Sequence, residues 1–166
     1  MANGFPNKWA ILFGCKGYQK EELATLDYPI NDVTEFRDAL HEYLEFPKDH
    51  FLEFGDGLHH EPELSTFWDQ LAVFLEQPIG ADDLLFFYFT GHGFRHEDDD
   101  YLLPQKASLK DPKNTGIAVK AVLEELLKSK CKNIVMFLDA CRNPMKGAKG
   151  EKGEKGGRGS ATKAQP

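Results

Sequence analysis

Residues 82–96 read DDLLFFYFTGHGFRH. Residues 84–90 form an apolar, aromatic-rich run that stops at Gly91-His92-Gly93. A short apolar run bounded by turn residues is the pattern of a strand buried on both faces of a parallel sheet. The run is therefore read as a strand. The glycines flanking His92 predict a sharp turn, with backbone N–H groups able to approach a ligand closely. In open α/β sheets, ligands bind beyond the carboxyl ends of the strands, so His92 stands where a catalytic group is expected. Residues 133–139 (NIVMFLD) repeat the pattern and are followed by Ala140 and Cys141. Two central strands thus end in a histidine and a cysteine.

Working outward, residues 8–14 (KWAILFG) read as a first buried strand and residues 15–30 as a polar loop at its end. Asn31-Asp32 offers a helix cap, with Glu35 completing a capping box. Val33, Phe36, Leu40, Tyr43 and Leu44 follow at helical spacing, and Pro47 stops the helix. Residues 50–54 predict a short strand and 55–57 (GDG) a turn. Leu64, Phe67, Trp68, Leu71, Phe74 and Leu75 define an amphipathic helix over 63–76. Beyond the central run, the acidic residues 97–100 predict a hairpin with 101–103 as its return strand. Residues 104–116 read as loop and 117–130 as a helix. Strands alternating with helices predict a mostly parallel sheet with helices on both faces.

The 166 residues suffice for one domain with a real core, placed at 1–145. After Pro144 the composition collapses to Gly, Lys, Glu, Ala and Ser, so residues 146–166 read as a flexible linker or processed tail. The five glycines there at a period of three are too few, without proline, for a collagen triple helix. This tail holds six basic and two acidic residues, net +4, so the formal charge of −7 divides into a body of −11 and a basic tail. An acidic body gives no footprint for nucleic acid and suits a basic partner. No run approaches a membrane span, the first residues lack a signal-peptide pattern, and three scattered cysteines argue for a reducing compartment. A cytoplasmic protein is expected.

A cysteine beside a histidine can act as a nucleophile–base pair. The imidazole helps generate the attacking thiolate and later protonates the leaving amine. The N–H groups of Gly93 and Cys141 would form an oxyanion hole if they converge. From spacing alone a buried structural cysteine and a histidine in a tight turn remain open.

Residues 89–93 (FTGHG) and 138–143 (LDACRN) resemble the two catalytic motifs of the caspase-like cysteine peptidases, in the same order and on the same elements. Residues 26–33 (LDYPINDV) also agree, and the resemblance spans about 8–143. It implies a caspase-like three-layer α/β sandwich, His92 as general base, Cys141 as nucleophile, and Gly93 with Cys141 as oxyanion donors. Asp139, two before the cysteine, resembles the metacaspase and prokaryotic caspase-like branch, which cleaves after Arg or Lys. By that resemblance the pocket for the residue before the scissile bond (S1) is formed by Asp32, Thr90 and Asp139. Two carboxylates would hold a guanidinium by charge-assisted bonds. Read alone, Asp32 could be only a helix cap, Asp139 a strand-end carboxylate and Thr90 a strand residue.

The Ser-Gly that often follows the cysteine in metacaspases is replaced by Arg142-Asn143-Pro144. The chain resembles a large catalytic subunit, so the expected partners are a basic protein substrate and a small-subunit segment, from the same precursor or a partner chain. The resemblance places related proteins in regulated proteolysis, cell death or antiviral defence. No metal or other cofactor is expected. Residues 97–100 could bind calcium, but they read better as a solvated acidic hairpin. Cys15 and Cys131 read as packing residues, and Tyr18, Tyr28 and Trp68 as packing or loop aromatics. A non-catalytic caspase-like interaction module is the alternative. A flavodoxin-like regulatory domain would need acidic residues at Gly14-Cys15-Lys16, which are absent.

Overall fold

The computed structural model describes residues 4–141. The tail at 146–166 and Arg142-Asn143-Pro144 lie outside the described residues. In chain order the elements are β1 (Lys8–Gly14), α1 (Pro29–Leu44), β2 (Phe51–Phe54), α2 (Leu64–Leu75), β3 (Leu84–His96), β4 (Asp99–Leu102), α3 (Pro112–Thr115), β5 (Ile117–Ala118), α4 (Val119–Lys128) and β6 (Asn133–Cys141). The sheet runs β2-β1-β3-β4-β5, with β6 pairing β3. The β2, β1, β3 and β6 pairings are parallel; β4 returns antiparallel on β3, and β5 antiparallel on β4.

Alternation along the strands divides the core between two faces. Trp9, Ile11, Phe13, Leu85, Phe87 and Phe89 point to the side covered by Phe67, Leu71 and Phe74 of α2 and Val122 and Leu126 of α4. Ala10, Leu12 and Tyr88 point to the other side, where Val33 and Leu40 of α1 cover them. The expected layers, helices on both faces of a mostly parallel sheet, are present. Phe13 is enclosed by the rings of Phe54, Phe67 and Phe89 at 5.4–5.6 Å between centroids. Truncating it to alanine would cost about 3–5 kcal/mol.

Several local features differ from the sequence reading. β3 does not turn at Gly91-His92-Gly93. It continues to His96 and exchanges parallel neighbours for the antiparallel β4. The glycines serve close approach instead. A Cβ on Gly91 (φ +157°) would lie 2.9 Å from Tyr18 Oη, and one on Gly93 would lie 2.8 Å from the Cβ of Ala140. α1 starts at Pro29, whose ring suits the first helical position, so no capping box forms and Asp32 sits inside the first turn. The helix ends at Glu45 in a left-handed conformation (φ 57°), two residues before Pro47. Ile117–Ala118 pairs with β4 rather than opening α4, a short helix occupies 112–115, and β6 continues past Asp139 to Cys141.

Candidate active site at the carboxyl ends of β3 and β6

The parallel register pairs Thr90 with Asp139 and His92 with Cys141. Neighbouring strands lie about 4.8 Å apart, so the two candidate residues share one rung at the end of the sheet. His92 is 7% exposed. Its Nε2 lies 2.8 Å from the backbone oxygen of Ala24. A carbonyl only accepts, so Nε2 carries the ring proton in the neutral imidazole. Nδ1 is then the nitrogen left with a free lone pair in the neutral ring. The backbone N–H of His92 donates to Tyr18 Oη at 2.8 Å, and the Tyr18 hydroxyl donates to the Cys15 carbonyl at 3.2 Å.

The alternation of the ladder also directs the two expected oxyanion donors. Leu84 donates its N–H to Asn7, on the β1 side, and Thr90 accepts from Cys15 there. Even-numbered β3 residues thus turn their backbone groups toward β1. Those of Gly91 and Gly93 turn toward β6. In the same register the odd-numbered residues of β6, Cys141 among them, face β3. The amides of Gly93 and Cys141 therefore enter one seam between the two strands.

Asp32, Thr90 and Asp139 line a single cleft of about 150 Å³, together with Leu26, Asp27, Tyr28, Pro29 and Gly91. Thr90 is 4% exposed and its hydroxyl donates to Asp32 at 3.3 Å. No lining residue described is basic, and three are aspartates. Burial raises the pKa of the nearby Tyr88; its hydrogen bond with Thr90 opposes this, and the charges of Asp32 and Asp139 add to it. Tyr28, also in the lining, is 69% exposed.

The loop between β1 and α1 builds much of this arrangement: Tyr18, the Ala24 carbonyl, and Leu26 to Tyr28. It is tied down by Asp56 of the Gly-Asp-Gly turn, whose carboxylate accepts the N–H groups of Lys16 (2.9 Å) and Gly17 (3.2 and 3.3 Å). Leu26 donates back to Lys16 O. Sequence reasoning missed Ala24, because a backbone carbonyl leaves no side-chain signal, and it read Tyr18 as a packing or loop aromatic. A buried tyrosine hydroxyl needs a partner, but spacing does not say which.

The acidic hairpin is engaged in ion pairs. Glu97 meets Lys113 at 2.8 Å, and Asp100 meets Arg95 at 3.7 Å. Among the described residues no group of three His, Cys, Asp or Glu side chains is arranged to hold a metal ion. No helix among them is long and apolar enough to cross a membrane. Cys15 and Cys131 are buried, and burial pushes the Cys15 thiol up to about 12.

A family model of the caspase domain matches residues 7–165. The chain belongs to the caspase domain family. The match continues past Asn143, the limit of the motif resemblance, into residues outside those described. No match was found among curated proteins. A caspase domain is the fold of cysteine peptidases that act on proteins, which is the level at which family membership fixes the chemistry.

Proposed function

We propose that this caspase domain is a cysteine endopeptidase that cleaves proteins after Arg or Lys. The observation that carries the proposal is the cleft lined by Asp32, Thr90 and Asp139, two rungs from His92 and Cys141 and without a basic residue among its described lining. A P1 guanidinium entering it would meet carboxylates on both sides of Thr90 and form charge-assisted bonds. An aspartate side chain would meet only like charge.

In this reading His92 Nδ1 accepts the Cys141 thiol proton, and the thiolate attacks the scissile carbonyl carbon. The oxyanion is received by the N–H groups of Gly93 and Cys141. Because those groups also serve the last rung between β3 and β6, substrate binding would open that rung. The imidazolium, held by the Ala24 carbonyl, then gives its proton to the leaving amine. Water, deprotonated by the same imidazole, releases the acyl group from sulfur.

The outer side of β6 supports a small-subunit partner. Val135 and Phe137 project to the α1 face, 43% and 54% exposed among the described residues, and a small-subunit segment packed there would cover them. By family context the protein acts in regulated proteolysis, such as cell death or antiviral defence.

Fluorogenic peptides ending in Arg, Lys or Asp test the proposal. Cleavage after Arg or Lys that disappears in Cys141→Ala is the expected result. Preference for Asp, or cleavage that survives Cys141→Ala, overturns it.

A further inference from the structure

The strands β1 and β3 run in register from Lys8↔Leu84 to Gly14↔Thr90. The next rung of a parallel ladder would join Cys15 to both neighbours of Gly91. Cys15 N–H would donate to Thr90 O, and His92 N–H would donate to Cys15 O. The first of these bonds is present at 3.0 Å. The second is not made directly. The Tyr18 hydroxyl stands in its place, accepting from His92 N–H at 2.8 Å and donating to Cys15 O at 3.2 Å. One hydrogen bond of this rung has been replaced by a side-chain hydroxyl, at the residue that carries the imidazole.

Three further observations belong to this insertion. The hydroxyl lies 2.9 Å from where a Cβ on Gly91 would sit, so glycine makes room for it. The Tyr18 ring packs on the imidazole of His92 with centroids 4.8 Å apart and planes at 44°. Six residues further along the same loop, the Ala24 carbonyl takes the proton on Nε2. The backbone, the ring face and one ring nitrogen of His92 are thus each fixed by this loop.

We propose that Tyr18 is a positioning residue for His92. Its hydroxyl sets the height and tilt of the histidine backbone, and its ring holds the imidazole where Nε2 meets Ala24 O and Nδ1 is left as the base. The inference rests on the reading of His92 and Cys141 as a peptidase pair for its kinetic consequence, but not for its geometric one. Burial raises the pKa of the hydroxyl, so it remains a donor throughout the pH range in which a histidine titrates.

Tyr18→Phe keeps the ring and removes the inserted hydroxyl. The test measures peptide cleavage and, in the same histidine-15N-labelled protein, the imidazole nitrogen shifts of His92. The expected result is a fall in kcat of about 10- to 100-fold with KM within about twofold, the scale of a small displacement of a catalytic group. The Nε2–H tautomer signal of His92 should weaken, and its amide should exchange faster than that of Cys15. A thermal midpoint lowered with kcat, tautomer and amide exchange all unchanged would make Tyr18 a packing residue only and overturn the inference. Should Tyr18→Phe fail to fold, the wild-type spectrum still decides. A His92 neutral ring in the Nδ1–H form, or an amide exchanging as freely as a loop residue, contradicts the proposed clamp. If wild type and Cys141→Ala prove equally inactive while the tautomer and exchange changes appear in Tyr18→Phe, the peptidase reading fails and the positioning of His92 stands.

Discussion

Asp83 and Asp32 are aspartates at opposite ends of the same sheet, and the chain treats them in opposite ways. Asp83, just before β3, is 2% exposed and surrounded by donors from its own chain. It accepts from Gly80 N–H at 2.8 Å, Trp9 Nε1 at 3.0 Å, and the backbone and side chain of Asn7 at 3.1 and 3.2 Å. Burial alone would raise its pKa, but the bonds from Gly80, Trp9 and Asn7 outweigh that and hold it below the ordinary carboxylate value. Asp32 receives a side-chain donor from Thr90, a neutral hydroxyl, and shares its cleft with Asp27 and Asp139. A carboxylate whose lone pairs are filled by its own chain is a structural staple. Carboxylates gathered in a cleft without a basic neighbour invite a cation from outside.

The sharpest break of this comparison is to neutralise two of the three cleft carboxylates, those beside Thr90. Asp32→Asn combined with Asp139→Asn should lower kcat/KM for arginyl peptides about 1,000-fold, as two charge-assisted bonds of about 2 kcal/mol each would. The denaturant midpoint should barely move. Unchanged kcat/KM would remove the cleft from substrate recognition.

The converse substitution, Asp83→Asn, should destabilise the fold by about 2–3 kcal/mol, because an amide cannot satisfy the donors grouped there. Cleavage per folded molecule should stay constant. The pH dependence has a fixed sign. Since Asp83 has a depressed pKa when folded, its stabilisation is present above the unfolded value of about 3.9 and is lost as pH falls through the folded value. Wild type should therefore lose stability through that acid window more steeply than Asp83→Asn, measured by denaturant unfolding at each pH.

A smaller effect is expected where β3 and β6 touch. Gly93→Ala would place a Cβ 2.8 Å from that of Ala140, a fixed-backbone overlap worth about 1–3 kcal/mol. Ala140→Gly should recover part of it in the double variant, and a cycle of unfolding curves measures how much. Smallest of all is the acidic hairpin. Glu97 is engaged by exposed Lys113, so Glu97→Gln and calcium chelation should each leave cleavage and melting temperature within error.

Much of this contrast was legible in the sequence, and what was not has physical causes. The apolar runs of β1, β3 and β6 and the 3.6-residue stripes of α1 and α2 specify the layered sheet, because burial imposes their periodicity. The motifs at His92 and Asp139 to Cys141 mark the end of the sheet where the candidate site lies. Gly91 and Gly93 misled the reading of β3, since glycine marks close approach as readily as a turn. The first proved to accommodate Tyr18 and the second Ala140. Asp32 was ambiguous between cap and cleft until Pro29 was seen to start the helix. Tyr18 and the Ala24 carbonyl were invisible because their partners lie 74 and 68 residues away.

We propose Cys141 as a nucleophile served by an acidic specificity cleft. That role is tested most directly by exposing the complete protein to two peptidyl ketone inactivators that differ only in a terminal arginine or aspartate, followed by intact mass and peptide mapping. One adduct on Cys141 is expected from the arginyl reagent, slowed in Asp32→Asn/Asp139→Asn, and little from the aspartyl reagent. Faster labelling by the aspartyl reagent, or an arginyl adduct at Cys15 or Cys131 in place of Cys141, would contradict it.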